Sequence, residues 1–84
     1  MARRLVGRKT EVSTSPVKRL SERELEVFYL IGKGYGTRQI SKRLHLSIKT
    51  IETYRAHIKQ KLSLANAAEL LRYAIQWVGS QNKR

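Results

Sequence analysis

GTRQISKRLHLSIKTIETYRAHIKQKL, residues 36–62, decides the fold. Thr37 is a plausible N-cap, and Ile40 and Leu44 follow at the four-residue spacing of one helix face, which predicts a helix of about two turns. His45 and Leu46 form a tight connection, Ser47 offers a fresh N-cap, and a longer helix is expected over about 48–62. A short helix joined by a few residues to a longer one is the outline of a helix-turn-helix. Many αα-hairpins that bind nothing share that outline, so side-chain chemistry has to separate them.

On the longer helix, 3.6 residues per turn place Ile51, Tyr54, Ile58 and Leu62 on one apolar stripe. Opposite lie Thr53, Ala56 and Gln60, with Glu52 and Lys59 to one side and His57 and Lys61 to the other. The centre of that outer face is short or small, and its margins are basic. Such a helix can enter a major groove about 12 Å wide while the marginal cations reach the phosphate walls. An ordinary solvated amphipathic face fits the same pattern. Glu52 has two readings as well. A carboxylate in the first turns of a helix gains roughly 0.3–1 kcal/mol from the macrodipole. One that accepts from cytosine N4 gives roughly 1–3 kcal/mol of base discrimination.

Outward from this stretch, Ser21 followed three residues later by Glu24 forms a capping box, and Leu20 can staple onto Leu25, so a helix begins there. Val27, Phe28, Leu30 and Ile31 give it an apolar stripe, and Gly34 supplies a left-handed stop. Asn66 with Glu69 repeats the capping logic, and Leu70, Leu71, Ala74, Ile75 and Val78 carry a last helix that Gly79 is expected to end. The fold class is therefore all-α, a four-helix (tetrahelical) helix-turn-helix bundle. Residues 1–19 read as a basic, partly disordered linker or arm, 20–79 as the folded domain, and 80–84 as a basic tail.

Composition agrees. The 84 residues allow one small core, there is no cysteine for a disulfide or thiolate zinc site, and no apolar run is long enough for a secretory signal or membrane span. A soluble cytoplasmic protein with no membrane partner is expected. Lys plus Arg number 18 against 6 Asp plus Glu, a net charge of +12, which points to a polyanion. The charge is sided: residues 37–61 hold seven cations and only Glu52, whereas residues 22–26 hold Glu22, Glu24 and Glu26 with Arg23. Two histidines without cysteine or aspartate make no metal site, and no nucleophile–base–acid set is present. No enzyme, cofactor or metal is expected.

The stretch LSERELEVFYLIGKGYGTRQISKRLHLSIKTIETYRAHIKQKL resembles the LuxR-type (FixJ/GerE-like) DNA-binding domain of bacterial transcription regulators, a likeness that spans residues 20–78. The resemblance implies sequence-specific double-stranded DNA binding, with the third helix in the major groove and a homodimer on DNA. It implies phosphate contacts from Thr37, Arg38, Gln39, Lys49 and Thr50 and base reading by Glu52, Thr53 and Ala56. The last three are also the residues that the helical wheel singles out. His57 and Lys59 are further phosphate candidates, and Leu71, Tyr73 and Trp77 on the fourth helix are the implied dimer contacts. Two departures stand out: Ser63 where the family often has glycine, and Ala67 where arginine is common. Many members are effector domains of response regulators, and with no aspartate this chain holds no phosphoacceptor of that kind. RNA polymerase is a further expected partner. Rival readings are a helical domain that docks on polymerase or a partner regulator, and RNA binding through the basic face; RNA modules usually expose stacking aromatics, and none clusters on that face.

Overall fold

A computed structural model of the protein describes residues 16–82; of the arm expected over residues 1–19, residues 1–15 lie outside the described residues, as do Lys83 and Arg84 of the expected tail. The described residues form a short 3-10 helix (Pro16–Arg19) and four α-helices, α1 (Glu22–Gly32), α2 (Thr37–Leu44), α3 (Ile48–Lys61) and α4 (Ala67–Asn82). Among them there is no strand. The folded unit starts earlier than Leu20, because Val17 inserts into the core at 6% exposure. A solitary valine beside polar neighbours has no periodicity to betray it.

The Ser21–Glu24 box forms as expected, with the Ser21 Oγ accepting from the Glu24 N–H and the Glu24 carboxylate accepting from the Ser21 N–H. Leu20 and Leu25 are both partly buried against the core. At α2 the expectation fails in detail. Gly36 is the N-cap, Thr37 is the first helical residue, and the Gln39 side-chain oxygen accepts the Gly36 N–H at 2.9 Å. Glycine satisfies the extended cap conformation and the long Gln39 side chain reaches back to it, so no cap hydroxyl is required. Gly79 does not end α4, which continues to Asn82. A helical glycine costs about 1 kcal/mol against alanine and does not break a helix that tertiary packing holds.

Three helices stop by one device. Gly34, His45 and Ser63 each take a left-handed φ of 99°, 59° and 58°. The next residue's N–H then reaches back to a carbonyl five positions earlier, Tyr35 to Leu30, Leu46 to Ser41 and Leu64 to Lys59, at 3.1, 3.0 and 2.8 Å. In each case that next residue is an apolar side chain packed on the core, the contact that accompanies this kind of C-cap. The tightness of the turn at His45, with Ser41 Oγ donating to the Leu46 carbonyl, sets α2 against α3. Ser63 holds the conformation that the family's glycine favours, at the cost of left-handed strain.

Phe28, Ile31, Ile40, Ile51, Ile58, Leu70 and Val27 are fully buried and draw on all four helices. Phe28 is the hub toward α4: its ring meets Tyr73 edge-on at 5.9 Å and Trp77 tilted at 5.4 Å. α1 and α4 lie close together at Gly32, where an added Cβ would lie 2.5 Å from Val78 Cγ2 and 2.8 Å from the Ala74 carbonyl carbon.

Candidate nucleic-acid interface

α3 is anchored by Ile51 and Ile58, both with no exposed surface. Helical periodicity then turns Glu52, Thr53 and Ala56 outward, and all three are exposed. Tyr54 lies at the edge of the buried stripe, partly covered. Ser47 caps α3: its Oγ accepts from the Thr50 N–H at 3.0 Å and donates to Thr50 Oγ1 at 2.9 Å. Counting from that cap, Glu52 is the fifth residue of α3, and the first turn holds no acidic residue. The macrodipole falls off within the first turn, so it gives little reason for a carboxylate at this place.

Hydroxyl chemistry narrows what the face can do. Thr53 Oγ1 donates to the Lys49 carbonyl at 3.1 Å, leaving its lone pairs and methyl group outward. Toward a ligand it accepts. Thr50, whose oxygen already accepts from Ser47, keeps its own hydrogen to donate. Around these sit the other candidates for phosphate. Arg38, Gln39, Lys49 and His57 are exposed, while Thr37, Thr50 and Lys59 are half-buried. Gln39 uses its oxygen on Gly36, so its amide hydrogens stay available as donors.

Two of the basic residues on this side have other partners. Lys61 Nζ lies 2.7 Å from Glu24 Oε1, and Arg43 stacks over the Tyr35 ring at 4.7 Å. Glu24 is the one buried charged residue among those described, its side chain 6% exposed. One oxygen takes the Ser21 N–H and Lys61, and the other faces His57 Nδ1 at 3.5 Å. Sequence reading finds Glu24 as a cap but misses its tie to α3, because the two segments lie 37 positions apart. Burial pushes the Glu24 carboxyl up, but the Lys61 ammonium, the Ser21 N–H and the His57 ring outweigh it, and the net direction is below the ordinary value of 4.5.

That direction fixes a sign. The unfolded chain takes up the proton near the ordinary carboxylate value and the folded chain only at lower pH, so the stabilisation is complete above that value and is lost as pH falls through the folded pKa. Glu24→Gln should therefore flatten the acid limb of a plot of urea midpoint against pH, read from neutrality down to about pH 3. An acid limb of equal steepness in both proteins would show that Glu24 carries no such linkage.

On α4, Tyr73 and Trp77 lean on Phe28 and are partly buried, so the apolar side chains left outward are Leu71 and Ile75, 43% and 49% exposed. Ala67, the departure from the common arginine, is exposed at the start of α4. Among the described residues no group of three or more His, Cys, Asp or Glu is placed to hold a metal, and no helix is long and apolar enough to cross a membrane.

A short helix, a left-handed turn and a capped longer helix with its outer face bare define the helix-turn-helix class of DNA-binding domains. Residues 18–74 match the family described as "Bacterial regulatory proteins, luxR family", and the chain belongs to that family. It is 43% identical over 70 residues, 83% of this chain, to the oxygen regulatory protein NreC of Staphylococcus carnosus. To NreC of Staphylococcus aureus strain JH9 it is 46% identical over 67 residues, 80% of this chain. The aligned segment spans only about a third of each relative, 32% and 31%.

Proposed function

We propose that the chain is the DNA-reading unit of a bacterial transcription regulator acting in the cytoplasm, with α3 in the major groove and Glu52, Thr53 and Ala56 over base edges. The observation that carries this is the exposure of those three residues on a helix whose opposite face is locked in the core. Glu52 and the outward lone pairs of Thr53 are both acceptors. The base edges that answer acceptors are the amino groups of cytosine and adenine, so bound half-sites should present C or A amino groups at adjacent positions. Arg38, Lys49 and Lys59, with the donor groups of Thr37, Gln39, Thr50 and His57, are assigned to phosphates. Because oxygen regulatory proteins named NreC are about three times as long as the matched segment, we read the chain as the output part of a response-regulator-like transcription factor. RNA polymerase is then a further partner.

Salt titration on duplex DNA tests the phosphate part. Log affinity should fall linearly with log salt, and Lys49→Ala should reduce the slope by about one unit. Glu52→Ala should alter the sites recovered from random duplexes more than it alters binding to bulk DNA. If the recovered sites stay the same, Glu52 reads no base.

We assign the homodimer contact on DNA to the outward stripe of α4, Leu71 and Ile75, in place of Tyr73 and Trp77, whose rings are engaged with Phe28. Leu71→Lys with Ile75→Lys should leave single half-site binding intact and remove cooperative binding to a paired site in a gel-shift titration. Cooperativity that survives both changes places the contact elsewhere.

A further inference from the structure

On the side of α1 turned away from α3 lies a cleft of about 620 Å3 between α1 and the C-terminal half of α4. Leu25, Tyr29 and Trp77 give it apolar walls, and Glu22, Arg23 and Glu26 line it with charge. Its position follows from helical spacing. Glu22, Glu26 and Tyr29 stand at i, i+4 and i+7 on one stripe, while Glu24, two positions from either glutamate, points the opposite way into α3. Glu26 shares Arg23 at 3.0 Å, and among the described residues no ion pair forms at Glu22. In a chain of net charge +12 this is an acidic, aromatic-walled site on the face remote from the DNA-reading helix.

We propose that this cleft is the docking site for the chain's own basic segment ARRLVGRK, residues 2–9. The chemistry is complementary: Leu5 and Val6 match the apolar walls, and Arg3, Arg4 and Arg8 flank them with cations to meet Glu22 and Glu26. Arginine also stacks on aromatic faces such as those of Tyr29 and Trp77. The tether is favourable too. Val17 is fixed in the core only five residues before Glu22, so the segment is attached close to the start of α1. The eight residue-to-residue steps from Arg8 to Pro16 can span up to about 28 Å, against about 10 Å for the run from Glu22 to Tyr29. A tether this short supplies an effective concentration of about millimolar, which no separate basic peptide matches at ordinary levels. The site is independent of DNA reading, and its test uses no DNA.

The chain lacks cysteine, so Gly7→Cys carries a single nitroxide label on the 84-residue chain. In low salt, paramagnetic loss of NMR signal should be greatest at the amides of residues 22–29 and at the indole of Trp77, the sole tryptophan. Charge reversal of the segment, Arg3→Glu with Arg4→Glu and Arg8→Glu, should restore those signals. Glu22→Lys should do the same from the other side, as should about 1 M salt, where the Debye length falls to about 3 Å. Loss centred on residues 49–57, loss spread evenly over the domain, or loss at the cleft that survives both charge reversals would overturn the proposal.

Discussion

Gly32→Ala should cost about 3 kcal/mol of folding free energy, the upper part of the range for overpacking a close contact. The added methyl meets Val78 Cγ2 and, more seriously, the Ala74 backbone, which belongs to a helical turn and cannot swing aside as a side-chain tip can. α4 would have to back away from α1, opening the contact of Phe28 with Tyr73 and Trp77. At roughly 0.05–0.15 kcal/mol per residue a domain of this size has a total stability of about 4–13 kcal/mol, so the loss is a large share. Thermal unfolding followed by far-ultraviolet circular dichroism should show a midpoint lower by about 12–24 °C, at 4–8 °C per kcal/mol. A midpoint unchanged or raised, as expected from alanine's better helix propensity alone, would mean that α1 and α4 do not meet as closely as described.

Ala56→Glu should abolish specific DNA binding without touching the fold. Ala56 is exposed at the middle of the outer face of α3, so the substitution creates no buried charge and leaves no cavity. In the groove it places a longer side chain where a small one allows close approach and sets a second carboxylate one turn from Glu52, facing phosphate walls. Like-charge juxtaposition in an interface costs several kcal/mol, and a loss of about 3 kcal/mol already lowers affinity by more than about 100-fold. Affinity for a selected duplex, measured by fluorescence anisotropy, should fall by at least that factor while the unfolding midpoint holds. Binding within about threefold of the parent would remove Ala56 from the interface.

The elements were legible where periodicity and caps coincide. The Ser21–Glu24 box, the left-handed Gly34 and the Ser47 cap of α3 all form at the positions their residue types indicate. The outward face of α3 was equally legible, since Ile51 and Ile58 fix the rotation of the helix. What escaped the sequence depends on tertiary partners. His45 and Ser63 adopt left-handed turns that local propensity does not favour, because Leu46 and Leu64 gain burial by following them. Val17 joins the core without a pattern around it. Trp77 and Tyr73 look available on a helix read alone, and only Phe28 from α1 shows that they are engaged. Glu24 is the clearest case, a cap residue whose second duty is a buried contact with Lys61 and His57.

Charge totals would have misled without this geometry. Lys61 and Arg43 belong to the run of cations that marks residues 37–61 as a polyanion-binding segment, yet one neutralises Glu24 and the other covers Tyr35. The cations left outward are Arg38, Lys42 and Lys49, with Arg55 and Lys59 half-covered; Arg38 and Lys49 stand at the starts of α2 and α3, where the phosphates along a groove wall would pass.

The most direct test of major-groove reading is dimethyl sulfate protection on a duplex recovered by selection, because guanine N7 is reachable only from that groove. Bound protein should shield guanine N7 within each half-site, at or next to the base pairs whose identity Glu52→Ala relaxes, and leave adenine N3 in the minor groove reactive there. Full occupancy with every guanine N7 still methylated would contradict the account.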